Sequence, residues 1–176
     1  MVLGYGFTIL NYLLYCVSRF CKKKYQMLTC DLLAKIAFVL GLYFMGSLSG
    51  AYSIFANFFW LIFANIKERK EKSWPAVYVF FQIVLIYIMM SNFEGISSIL
   101  IFTSSTITLL ATWWLSPQQM RITGIAVNII TLMYQLSIKN YAGLCELVVI
   151  ASTLVSYVKY REKKTEDFDE SEEVVA

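Results

Sequence analysis

Apolar residues in this chain form seven long runs, separated by short polar or charged stretches. The runs are continuous rather than alternating, which predicts helices and not the strands of a membrane barrel. Each run is close to the ~20 residues that an α-helix needs to cross the hydrocarbon core of a bilayer. The runs occupy residues 3–20, 27–46, 50–66, 75–92, 96–115, 119–137 and 141–159. The pattern therefore predicts an all-α integral membrane protein with seven transmembrane helices.

Basic residues lie almost entirely on one side of a membrane that is crossed seven times. Of fifteen Lys and Arg residues, thirteen fall on that side, Lys139 falls on the other, and Lys35 lies within the second run. Because cytoplasmic loops carry the excess of Lys and Arg, the N-terminus is predicted outside and the C-terminus in the cytoplasm. The thirteen are Arg19, Lys22, Lys23, Lys24, Lys67, Arg69, Lys70, Lys72, Arg121, Lys159, Arg161, Lys163 and Lys164.

Composition argues against several other classes of protein. The 176 residues are 59% hydrophobic, which is too apolar for an ordinary soluble domain. The sequence contains no His, and its four Cys lack the spacing of metal ligands, so we expect neither a metal site nor a cofactor. No nucleotide-binding loop or catalytic triad is present, and we expect no enzyme activity. The basic loops indicate contact with anionic lipid rather than with nucleic acid.

The lengths of the connections group the runs as three, one and three. Shifting the chain by 93 residues places Gln26-Met27 over Gln119-Met120 and Gly50 over Gly143, and the boundaries of the runs coincide. This predicts two parallel three-helix repeats joined by a linker helix, a known plan for transporters. The predicted units are residues 1–66 (first repeat), 67–93 (basic inner loop and linker helix), 94–160 (second repeat) and 161–176 (an acidic, disordered cytoplasmic tail).

Short motifs add a resemblance to a known family. Lys22 to Lys72 and Gln119 to Arg161 resemble YgjV-type bacterial inner-membrane proteins, in the basic turns and in the spacing of Met120-Arg121, Tyr141, Gly143 and Glu146. That family is similar in plan to the MtN3/SWEET/PQ-loop and PnuC transporters, and Pro117-Gln118 is a PQ dipeptide. The resemblance implies a bacterial inner membrane. It also implies transport of a sugar, an amino acid, a nucleoside or vitamin, or a similar polar metabolite.

Two charged residues lie inside the second run. Asp31 and Lys35 are four positions apart and share one helix face. An ionisable group at the centre of a transmembrane helix costs about 2.5–3.5 kcal/mol, so each needs a partner or an aqueous cavity. Two interpretations stay open. The residues form a self-neutralising structural pair, or they form a cytoplasmic gate.

The sixth run carries a continuous polar face. Gly124, Asn128, Thr131 and Gln135 follow one another at helical spacing among aliphatic residues. Because lipid would leave the amides unsatisfied, this face must point into the protein. It is interpreted either as the wall of a solute pathway or as hydrogen-bonding contact between helices. Asn128 coincides with Lys35 in the proposed repeat.

The third and seventh runs are expected to supply the opposing walls. Asn57 and Trp60 share a face, where the amide could bind a polar solute and the indole could stack on a sugar or nucleobase; packing is the alternative for Trp60. Glu146 is the candidate for proton or cation linkage, because burial favours the neutral acid; a structural bond to Lys139 or Gln135 is the alternative.

The sequence thus predicts a small-solute transporter that works by alternating access. The alternative function is a non-transport structural or assembly protein, whose polar residues serve helix packing. The expected partners are the lipid bilayer and a small polar solute, and the sequence leaves room for a homo-oligomer.

Overall fold

The described part of the protein is entirely helical. The computed structural model describes residues 2–70 and 74–173, with side chains as far as Tyr160. Over these residues it contains seven α-helices, one short 3₁₀ helix and no strand, which confirms the predicted all-α class. The helices are α1 (Val2–Arg19), α2 (Lys24–Phe44), α3 (Leu48–Lys70), α4 (Pro75–Ser91), α5 (Ile96–Trp114), α6 (Pro117–Ser137), the 3₁₀ helix Tyr141–Cys145 and α7 (Glu146–Glu173).

Local sequence signals define where several helices begin and end. Ser116 and Gln119 form a reciprocal capping box at the start of α6, and Pro117 occupies the first helical position, where its missing N–H costs little. Pro75 opens α4 in the same way. Gly46 follows α2 with φ at 80°, a left-handed conformation that other residues resist. These breaks separate continuous apolar runs into distinct helices.

Six of the helices form a closed ring. Going around the ring, each helix contacts the next in the order α1, α2, α3, α5, α6, α7, and α7 contacts α1 again. Helix α4 packs outside the ring against α3 and α5. Consecutive helices run in alternating directions, so the ring has two different ends. We call them the basic end, which contains Arg19, Lys24 and Arg121, and the opposite end, which contains Ser47 and Asn140.

Among the described residues, four helical segments are long and apolar enough to cross a membrane. They are Lys24–Phe44, Leu48–Lys70, Ile96–Trp114 and Tyr141–Tyr160, and Pro75–Ser91 is a shorter apolar helix. α1 and α6 are less apolar because their buried faces carry polar side chains, among them Asn11, Arg19, Arg121 and Asn128. Large apolar side chains are exposed around the outside of the bundle, for example Ile83 and Tyr87 on α4. An apolar exterior around a partly polar interior is typical of a bundle in lipid.

The last helix continues into the acidic C-terminal segment. α7 continues through the acidic region as far as Glu173, so the backbone of 161–173 is helical. Glu and Lys, which are frequent in this segment, have high helix propensity, and helix already present in the membrane segment can be extended without a new nucleation step. Residues 174–176 lie outside the described residues, and the separate status of the tail stays a prediction.

Candidate functional site

A small polar cavity lies inside the ring of six helices. Its volume is about 20 Å³, roughly the space that one water molecule occupies by the same measure. All six ring helices contribute to its wall, and α4 does not. The lining side chains are Asn11, Tyr15, Lys35, Phe38, Ile54, Asn57, Ser104, Thr108, Val127, Asn128, Thr131 and Glu146.

Two buried groups of opposite charge face this cavity. Lys35 on α2 is 6% exposed and Glu146 at the start of α7 is 4% exposed. The Lys35 ammonium lies 5.3 Å from the centre of the Tyr15 ring, a cation–π contact that compensates part of its lost hydration. Among the described residues, neither Lys35 nor Glu146 forms a salt bridge. Neither charge is therefore held in a direct ion pair, although the two act on each other electrostatically and Asp31 also acts on Lys35.

Three amide side chains leave hydrogen-bonding atoms unused at the same place. Oδ1 of Asn11, Oδ1 of Asn57 and Nδ2 of Asn128 are buried without a partner in the described part of the chain. An unpaired buried polar group typically costs 1–3 kcal/mol, so native structures rarely leave several together. Other buried atoms without a described partner lie elsewhere in the bundle, for example on Trp113, Gln135 and Asn140, but these three border one cavity, where water or a solute could pair with them.

Other lining residues are held by contacts between helices. The Nδ2 of Asn57 donates to Ser105 Oγ at 2.8 Å, which ties α3 to α5. Ser104 and Thr131 share a hydrogen bond of 2.9 Å between their hydroxyls, which ties α5 to α6. The same residue can thus serve both packing and the cavity, as Asn57 does with its two amide atoms.

A second cavity of about 40 Å³ continues towards the basic end. Tyr15, Thr108, Val127 and Asn128 border both cavities and separate them. Beyond this group the second cavity is lined by the ion pair of Arg19 and Asp31, whose charged atoms are 3.8 Å apart. The two cavities together trace a polar path along the axis of the ring.

Asp31 pairs differently from the sequence expectation. Its salt bridge is with Arg19 on α1, and none joins it to Lys35. The pairing of Asp31 with Arg19 follows from their positions. Arg19 is the last residue of α1, close to the start of α2, whereas Lys35 lies one helical turn beyond Asp31, further into the bundle. Arg19 and Lys35 instead approach the same Tyr15 ring, at 5.1 and 5.3 Å from its centre.

Arg121 closes the basic end. It is 2% exposed and donates hydrogen bonds to Ser156 Oγ at 2.8 Å, to the Cys21 carbonyl at 2.8 Å and to Gln118. Its guanidinium also lies 4.5 Å from the centre of the Tyr160 ring. One side chain thereby connects α6 with α7 and with the end of α1. A guanidinium suits such a junction because it presents five donors in a fixed plane.

Hydrogen bonds also close the opposite end. The hydroxyls of Ser47 and Tyr134 are 2.8 Å apart, and Asn140 Nδ2 lies 3.3 Å from Thr8 Oγ1 and 2.8 Å from Gln135 Oε1. Gln135, a predicted solute-binding residue, belongs to this closure and not to the cavity wall. A side chain at Gly50 would collide with the Tyr134 hydroxyl, so the close approach here requires glycine.

Trp60 lies outside the polar path. Its indole is fully buried in an apolar cluster with Phe81 and Trp113, whose ring centre is 4.8 Å away. The indole N–H donates to Thr112 Oγ1 at 2.7 Å, so its polar atom is satisfied. The indole of Trp60 is therefore packed in the apolar cluster and does not line the central cavity.

The structure brings five of the eight predicted residues to one cavity: Lys35, Asn57, Asn128, Thr131 and Glu146. Asp31 borders the adjoining one.

Sequence reasoning missed the contribution of α1. A signal was present, because Thr8, Asn11, Tyr15, Ser18 and Arg19 recur at helical spacing in an apolar run. The sequence pattern assigns Arg19 and Arg121 to the basic loops that indicate topology, and Arg121 also to the family motif. Their burial depends on neighbouring helices and is not visible in the sequence of one helix.

Comparison with models of protein families gives a match over most of the chain. The model of the Imp-YgjV family, described as bacterial inner membrane protein, matches residues 2–164. No curated protein and no solved structure matches the chain.

Proposed function

The chain belongs to the Imp-YgjV family of bacterial inner membrane proteins, and from that premise we propose that it is a small-solute transporter. The observation that carries the proposal is the central cavity. It combines two buried charges that form no salt bridge with a described residue and three amide atoms that have no described hydrogen-bond partner, inside an apolar bundle. Uncompensated polar groups at this depth are costly and usually mark a solute or ion pathway.

The contacts between helices support two repeats of three helices. If α1, α2 and α3 correspond to α5, α6 and α7, each contact of the ring has a counterpart. The contact of α1 with α2 corresponds to that of α5 with α6, and that of α3 with α5 corresponds to that of α7 with α1. α4 lies outside this relation, as a linker helix would. The cavity then lies between the repeats, where transporters of this plan bind their solutes.

The closures at both ends support alternating access. At the basic end, Arg121 of the second repeat donates to the Cys21 carbonyl that follows α1. At the opposite end, Asn140 of the second repeat donates to Thr8 of the first. The enclosed space is about the size of one water molecule, as expected if both ends are closed at once. Rocking of the repeats would break one closure and keep the other.

Transport is tested by uptake into proteoliposomes. The purified protein is reconstituted and offered labelled sugars, nucleosides, amino acids and quaternary amines, with empty liposomes as the control. The proposal expects saturable accumulation of at least one class. It is abandoned if the protein takes up none of them and none shifts its thermal unfolding.

A structural or assembly role is the second candidate. It is favoured by the hydrogen bonds of Asn57 with Ser105 and of Ser104 with Thr131, which hold helices together without any solute. Asn128→Leu separates the two functions, because Asn128 Nδ2 makes no hydrogen bond to a described residue. Transport predicts normal folding with altered uptake. A packing role predicts loss of folded protein.

Topology is part of the proposal and has its own test. Positive-inside bias places the basic end in the cytoplasm, the N-terminus outside and seven spans between. In a variant without native Cys, we expect Tyr141→Cys to react with an impermeant thiol reagent in intact cells. Lys70→Cys should react only after permeabilisation; both positions are solvent-exposed. Labelling of both from the same side contradicts seven spans.

A further inference from the structure

We propose that the central cavity binds a small zwitterion, with Lys35 contacting its anionic group and Glu146 its cationic group. The inference rests on the proposed transport function and names its class of solute. The two side chains face the same cavity from the two halves of the ring, Lys35 on α2 and Glu146 on α7. Their charges sum to zero, so a ligand that satisfies both must itself carry one charge of each sign.

The spare hydrogen-bonding atoms have the polarity that such a solute needs. An ammonium group has three N–H donors and no acceptor, whereas a carboxylate only accepts. Asn11 and Asn57 each leave an amide oxygen unpaired, and Glu146 adds carboxylate oxygens, which together supply three acceptors for an ammonium. Asn128 leaves an amide N–H unpaired, and Lys35 adds an ammonium, which supply donors for a carboxylate.

Neutral ring-shaped solutes fit the same wall less well. A sugar or a nucleobase is usually bound on the flat face of an aromatic side chain. Trp60 is enclosed in the apolar cluster, and the Tyr15 ring is approached by Arg19 and Lys35. A neutral solute would also give neither buried charge a direct ion-pair partner, whereas a zwitterion would give one to each.

Size limits the solute to a small molecule. The central cavity of about 20 Å³ and the second cavity of about 40 Å³ are separated by a few side chains, including Tyr15 and Asn128. Movement of these side chains would join the two spaces without repacking the apolar cluster. The joined space suits a compact molecule whose opposite charges are a few bonds apart.

The test is ligand-dependent thermal stabilisation of the purified protein in detergent. The zwitterions are glycine, β-alanine, γ-aminobutyrate, glycine betaine and the proteinogenic amino acids. Matched analogues lack one charge, glycinamide carrying only the cation and N-acetylglycine only the anion, and glucose and uridine are neutral controls. The wild type is expected to bind at least one zwitterion on the order of tenfold more tightly than analogues that lack one of its charges.

Charge variants assign the two ends of the ligand. Lys35→Gln should lower affinity for the zwitterion about tenfold and shift the preference towards the cationic analogue, while Glu146→Gln should shift it towards the anionic analogue. If a single variant fails to fold, the double variant Lys35→Gln/Glu146→Gln, which keeps the net charge, must lose the preference for zwitterions.

Three results would overturn the inference. The first is binding of neutral solutes in preference to zwitterions, which refutes the solute class while transport stands. The second is equal binding of zwitterions and singly charged analogues, or an unchanged preference in the charge variants. The third is no binding by any probe; absence of uptake in the liposome panel as well would then refute transport itself.

Discussion

The central cavity and the apolar cluster around Trp60 are both buried, and both are built on the same helices. α3 supplies Asn57 to the cavity and Trp60 to the cluster, one turn apart, and α5 supplies Ser104 to the cavity and Trp113 to the cluster, nine residues apart. In the cluster, aromatic and aliphatic side chains fill the space. In the cavity, buried charges and amides surround the space, and three amide atoms have no partner among the described residues. In the cluster, the indole N–H of Trp113 also lacks a described partner, but none of the residues that form the cluster is charged. The buried charges, more than unpaired polar atoms alone, therefore distinguish the cavity from the cluster.

The largest effect on stability should follow damage to the apolar cluster. Trp60→Ala removes a fully buried indole and leaves Thr112 without its donor, so we expect a loss of about 3–5 kcal/mol in unfolding free energy. Thermal or denaturant unfolding in detergent measures it. Trp114→Ala is the matched control, because that side chain is 60% exposed and should cost far less. Equal losses in the two variants would show that the cluster is not the core.

An intermediate effect is expected at the basic end. Arg121→Met removes hydrogen bonds to Ser156 and to the Cys21 carbonyl, and leaves both without this buried donor. Hydrogen bonds of a charged group contribute about 1.5–3 kcal/mol, which sets the expected loss of stability. The variant should also increase the reactivity of a cysteine placed in the second cavity, because the closure is opened. Unchanged reactivity would show that Arg121 does not close the second cavity at the basic end.

A smaller effect is expected where the cavity wall is tied by hydrogen bonds. Ser105→Ala removes the acceptor of Asn57 Nδ2 between α3 and α5. Polar contacts between membrane helices average about 0.6 kcal/mol and reach about 1.7 kcal/mol, so the loss should lie in that range. Ser105→Thr keeps the hydroxyl and should remain close to the wild type. A loss of unfolding free energy as large as that of Trp60→Ala would show that the cavity wall stabilises the fold as much as the apolar cluster does.

Helix positions followed from the sequence, whereas the assignment of side chains to one site followed only in part. Hydrophobic runs and their breaks at Gly46, Pro75 and Pro117 predict the helices, because both signals are local. The periodicity of α6 identifies an inward face, and Asn128 and Thr131 do line the cavity. Periodicity along one helix does not specify which neighbour covers each turn of that face. Gln135 consequently lies in the closure at the opposite end.

Trp60 and Asp31 illustrate the same limit between helices. Trp60 is one turn from Asn57, but that turn is covered by α4 and α5, which bring Phe81 and Trp113 against it. The spacing of Asp31 and Lys35 suggested a pair within α2, and the nearest opposite charge to Asp31 comes from Arg19 on α1. The sequence pattern predicts which face of a helix points into the bundle, whereas the contacts of each side chain on that face depend on how the helices pack.

The most direct measurement compares the accessibility of the two buried regions. Asn128→Cys and Ala64→Cys are made in a variant without native Cys; they place a thiol in the central cavity and in the apolar cluster, at sites that are 5% and 1% exposed. Reaction with a small hydrophilic thiol reagent is followed in membranes by mass spectrometry. If the repeats open alternately to water, Asn128→Cys reacts at least tenfold faster than Ala64→Cys, and a bound solute slows it. Equal inertness of both thiols would contradict a transport pathway through the central cavity.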